Sequence, residues 1–107
     1  MPIVTIEFDN EKVKKQDIEN LSNGVRNIVQ DATKIEDVPV YANSSQIKVG
    51  ISSIEIFVQM SAHKIKDEQN LFDSIKQKIS EWKKKNKFTH SINLTFIPMN
   101  WKIEIGI

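Results

Sequence analysis

Few residue types in this 107-residue chain could carry chemistry. Cysteine is absent, which removes disulfides and thiol nucleophiles. The two histidines, His63 and His90, are isolated and have no metal-ligand spacing, so neither a metal nor any other cofactor is expected. Among the fifteen basic residues there is a single arginine, Arg26. Pro2 is the residue of most interest. Acylated by Met1, its nitrogen is a neutral amide and accepts no proton. Freed by methionine excision, which a small second residue favours, it becomes an amine. An α-amino group titrates at about 7.7–8.0, and burial beside cations lowers that value, so a free Pro2 could be an unprotonated base at neutral pH. A structural role also suits it, because proline is tolerated as the first residue of a strand.

The elements that must position these residues follow from hydrophobic spacing. In residues 2–8, Val4, Ile6 and Phe8 alternate with Thr5 and Glu7, the pattern of a strand with one buried face. Asp9 and Asn10 can cap a helix expected over about 11–32, where Ile18, Leu21, Val25, Ile28 and Val29 fall on one stripe. Val38 and Val40 begin a second strand, and Pro39 between them argues for a sheet edge. Residues 43–53 read as a polar connection. A third strand, 54–62, carries Ile54, Ile56, Val58 and Met60 on one face.

Asp67 is a candidate cap for a second helix, about 67–86, with Leu71, Phe72, Ile75, Ile79 and Trp82 on its stripe. Ile92, Leu94 and Phe96 form a fourth strand that Pro98 is expected to end. Trp101, Ile103, Ile105 and Ile107 then alternate with polar or small residues as a short C-terminal strand over about 101–107.

Two halves, about 2–45 and 54–98, share a burial pattern at an offset of 54 residues, pairing Val4 with Val58, Ile18 with Phe72, and Val40 with Leu94. The chain is therefore expected to be one α+β domain over 1–107. Its duplicated β-α-β units would form a four-stranded mixed sheet with two helices on one face. Periodicity alone also admits a ferredoxin-like ligand-sensing domain. The second sheet face would carry Ile3, Thr5, Phe57, Asn93 and Thr95, too apolar for free solvent, and a subunit contact would cover it. An unpaired C-terminal strand would also seek a partner.

Composition narrows the function. Hydrophobic residues make up 39% and charged residues 27%, enough apolar content for a folded core. Net charge is +1, which argues against nucleic acid as a partner, and Lys83, Lys84, Lys85 and Lys87 suit the C-terminal end of a helix dipole. No apolar run approaches a membrane span, so a cytoplasmic, membrane-free protein is expected.

The Met-Pro-Ile-Val start, followed by two strand-helix-strand units, resembles the tautomerase superfamily, which includes 4-oxalocrotonate tautomerase, 5-carboxymethyl-2-hydroxymuconate isomerase and macrophage migration inhibitory factor. IEIFVQM at 54–60, the second helix and INLTFIPM at 92–99 are most similar to a bacterial family of unknown function within it. The resemblance covers essentially the whole chain and implies a homotrimer in which C-terminal segments reach a neighbouring subunit. It also implies that Pro2 acts as general base, moving a proton in a small anionic keto or enol acid.

The short tautomerases hold carboxylates with two arginines. Here the first position resembles Lys12 and the second is Pro39. Lys34 resembles the lysine that assists the proline in the migration-inhibitory-factor branch. Near that branch's later tyrosine and asparagine stand Phe96, which has no hydroxyl, and Asn100. Tyr41 and Lys48 could line a pocket near the second strand. The departures at Lys12 and Pro39 leave open a non-catalytic oligomeric binding module that retains the fold only.

Overall fold

The computed structural model describes residues 1–107. Alternating apolar residues make the first strand, β1 (Ile3–Phe8), with Val4 and Ile6 buried. Helix α1 (Lys15–Thr33) starts later than the expected position near residue 11. The Asp9 carboxylate accepts from the Glu11 amide, and its carbonyl accepts from Lys12 and Val13, so residues 10–13 form a separate turn before the helix. Asp9 and Asn10 thus serve that turn, and α1 begins with no side-chain cap. It ends at Lys34, which adopts the left-handed conformation at φ 60° and returns its amide to the Gln30 carbonyl.

Strand β2 (Val40–Asn43) follows, then an irregular segment, and β3 (Ile54–Ser61). A single 3-10 turn (Ala62–Lys64) leads to α2 (Glu68–Lys85). Asp67 caps α2 as expected, its carboxylate accepting from the Asn70 amide at 3.0 Å. The last strand, β4 (Asn93–Met99), closes the sheet.

The sheet order is β2-β1-β3-β4. Each helix joins two adjacent parallel strands, β1 with β2 and β3 with β4, while β1 and β3 run antiparallel at the centre. The split arrangement of a ferredoxin-like domain, in which a third strand separates the helix-linked pair, is ruled out by this order. Both helices pack on the face bearing Val4, Ile6, Ile54, Ile56, Val58 and Met60, against Leu21, Val25 and Val29 of α1 and Ile75 and Ile79 of α2.

Val4 and Val58, equated by the 54-residue offset, are direct partners across the sheet centre. The outer strands depart from that offset. Val4 pairs Val40 and Val58 pairs Phe96, so the ladder equates Val40 with Phe96 rather than Leu94. A shift of two residues keeps every side chain on its face.

Two further sequence expectations need correction. Pro98 does not end β4; it pairs with Met60, which is possible because β4 is an edge strand and its missing amide faces no neighbour. Residues 101–107 form no strand in this chain. Their alternation marks an amphipathic segment, but a strand also needs a partner edge, and only Trp101 is held, by its indole donating to the Ser61 hydroxyl.

Candidate functional site

Pro2 is buried immediately ahead of β1, at the N-terminal end of this inner strand. The Val4 amide donates to the Pro39 carbonyl at 3.0 Å, so the entry into β2 is stitched beside the entry into β1. Because β1 and β2 are parallel, Lys34, at the end of α1 and just before β2, lies at the same end of the sheet as Pro2. Its side chain is 81% exposed, and its ammonium sits 3.5 Å from the Asp31 carboxylate.

Asp31 also receives the Lys78 ammonium at 2.8 Å. The Lys78 hydrogen bond, with the Lys34 charge behind it, holds the Asp31 carboxyl below its ordinary value. The same bond raises Lys78.

Lys12 and Lys48 lie elsewhere. They follow the C-terminal end of β1 and line a shallow hollow of about 290 Å³ with Asp9, Glu11 and Gln46. The Lys48 ammonium donates to Asn10 Oδ1 at 2.9 Å. A six-residue strand spans roughly 20 Å, so one subunit does not bring these lysines to Pro2. Tyr41 stands between the two ends, on the sheet face away from the helices, opposite Thr5 and 58% exposed. Arg26 is exposed on α1. Phe96 is half-buried against the core, and Asn100 is exposed just beyond β4.

The Pro2 end carries groups the sequence reading passed over. Met60, Lys64, Lys66, Asn70 and Thr33 line a hollow of about 320 Å³ between the end of α1 and the start of α2. Asp67, the one acid there, is engaged in capping α2, so the rim is net cationic. The run His63-Lys64-Ile65-Lys66 was visible in sequence, but only the turn after β3 brings it to this end.

Ser61, the last residue of β3, is 6% exposed and joined to Trp101. On the open face, Asn43, Glu7, Glu55 and Asn93 form one row across all four strands, and Asn93 donates to Glu55 at 3.0 Å.

No protein-family model matches the chain, and no curated protein matches it. Solved structures do. A domain of unknown function from Sebaldella termitidis aligns at 14% identity over 100% of this chain and 98% of its own, with a TM-score of 0.68. A 5-carboxymethyl-2-hydroxymuconate delta-isomerase aligns at 12% identity over 99% of this chain and 89% of its own, with a TM-score of 0.67. A fused 4-OT asymmetric trimer aligns at 13% identity over 91% and 85%, with a TM-score of 0.65. The chain therefore shares its fold with these structures, among them an isomerase and a domain of unknown function.

Proposed function

We propose that this protein is a tautomerase or isomerase of small anionic keto or enol acids, with Pro2 as its proton-transferring base. The observation that carries this reading is the position of Pro2, buried at the start of one of the two central strands of a fold shared with a known isomerase. With Met1 removed, its nitrogen would take a proton from one carbon or enol oxygen of the substrate and return it to the neighbouring carbon. Lys34, at the same end of the sheet, would swing from Asp31 to stabilise the enolate as charge develops. The cationic rim at Lys64 and Lys66 favours an acid over a neutral carbonyl compound.

The active form in this reading is a homotrimer in the cytoplasm of a bacterium. The half-buried open face at Ile3, Thr5 and Phe57 and the likeness to a trimeric assembly support it. Lys12, Lys48 and Tyr41 would then serve a pocket only as a neighbouring subunit's contribution. No helix here is long and apolar enough to cross a membrane.

A second reading, a binding module that retains the fold without catalysis, is favoured by one observation: Pro39 stands where the short tautomerases are expected to place a carboxylate-binding arginine. Intact mass of the protein from its own cells separates the two. A mass lacking one methionine supports catalysis, and a chain retaining Met1 favours the binding module.

A further inference from the structure

The Ser61–Trp101 pair has no part in the fold's core, yet it is a part-buried polar contact, with Ser61 itself buried, at the end of the sheet where Pro2 lies. In the β1–β3 ladder, Ile3 faces Gln59 and Val4 faces Val58. Met1 and Pro2 precede β1; continued two positions beyond its last pair, that register would set Met1 across from Ser61. Partners across a ladder point to the same sheet face, so on that register the space taken by Met1 would adjoin the Ser61 hydroxyl. Met99 pairs with Ser61 from the other side, in β4, and the Trp101 indole closes over the hydroxyl. Loss of Met1 would therefore do two things: expose the Pro2 nitrogen, and clear the position across from the Ser61 hydroxyl.

That hydroxyl is preorganised. Ser61 Oγ accepts the indole N–H, which leaves its own proton and one lone pair uncommitted. A serine so held, in a site screened by Met99 and Trp101, suits the oxygen of a keto acid better than it suits a cation. Resting on the proline-base reading above, we propose that Ser61, locked by Trp101, donates a hydrogen bond to the carbonyl or enolate oxygen of the substrate beside Pro2, and that Met1 fills this oxygen's place until it is excised. The hydroxyl stays protonated throughout. It donates a hydrogen bond to an oxygen that gains charge as Pro2 takes the carbon-bound proton.

The test uses the Met1-free full-length chain with phenylpyruvate as the probe acid. Ser61→Ala is expected to lower kcat on the order of tenfold with Tm little changed, and Ser61→Thr, which keeps a hydroxyl, to restore most of it. Trp101→Phe keeps a ring and loses the N–H, so it should lower kcat in the same direction by less. In a nitrogen-15 spectrum, the Trp101 indole signal, told from that of Trp82 by Trp82→Phe, should move on adding phenylpyruvate to the Met1-free chain but not to the chain retaining Met1. Full turnover in Ser61→Ala alongside loss of turnover in Pro2→Ala would overturn this inference and leave the proline-base reading standing. If Pro2→Ala turns over like the parent, the proline-base reading fails and the role of Ser61 beside it fails too. If no variant turns over, an indole signal that moves with phenylpyruvate in the parent but not in Ser61→Ala supports the oxygen site, and an unmoved signal overturns it.

Discussion

At the residue scale, the Pro2 end depends on pairs that sequence types alone do not reveal. Asp31 shows this most simply. It collects Lys78 from α2 and Lys34 from the end of α1, and the lowered Asp31 and raised Lys78 report one interaction seen from its two partners. Asp31 has a folded-state pKa below its ordinary 3.8, so its contribution to stability is present above that value and is lost as pH falls through the folded value. Lys78, raised above 10.5, contributes fully below that value and loses its contribution as pH rises through the higher folded one.

Both side chains meet solvent, and the contribution is correspondingly small and screened by salt. Thermal unfolding of Asp31→Asn should give a slightly lower Tm than the parent at neutral pH and low salt. The difference should narrow as pH falls through the lowered folded value of Asp31, and it should close at high salt. A gap that persisted in acid would mean that Asp31 acts through packing rather than charge. Lys34, released from Asp31 in this variant, should remain folded into the α1 end, because its left-handed cap is a backbone feature.

At the element scale, the two helices meet through Gly24. A Cβ there would lie 2.4 Å from Trp82 Nε1 and 2.6 Å from Cε2, and the Trp82 ring is backed by Phe88 at 5.4 Å between centroids. Alanine would gain up to about 1 kcal/mol in helix propensity, but the overpacking it forces costs roughly 1–3 kcal/mol. The clash should prevail. Gly24→Ala is therefore expected to destabilise the protein by about 1 kcal/mol in urea unfolding, and adding Trp82→Ala should remove the clash and shrink the penalty for the alanine.

The helix stripes and the Asp67 cap were legible in sequence because both depend on local spacing. The gap between Asp9 and α1 was less so, since a carboxylate can close a turn or cap a helix and the residue type fits both. Pro98 misled for a related reason. Proline blocks a central strand but not an edge, and which strand lies at the edge is decided by long-range pairing. The same holds for Trp101-Lys102-Ile103-Glu104-Ile105, whose alternation supplies a face but no partner.

At the scale of the whole molecule, the sheet has one sealed face and one open face. Phe57 lies near the centre of the open face, between Thr5 and Thr95. If that face is a subunit contact, Phe57→Glu should leave a folded chain that sediments as the 12.3 kDa monomer, with the parent near three times that mass. An unchanged assembly would move the contact elsewhere. The fold was readable from periodicity and resemblance. The spread of Lys12, Lys48 and Lys34 over opposite ends of β1 was not, because separation along a strand emerges only once the ladder is formed.

The central claim is that a free Pro2 nitrogen moves the proton. It is tested most directly by following the enol-to-keto conversion of phenylpyruvate with Met1-free protein and its Pro2→Ala variant, prepared identically. Turnover in the parent that falls at least a hundredfold in Pro2→Ala, with Tm preserved, is the result expected. Equal turnover in the two proteins would contradict it.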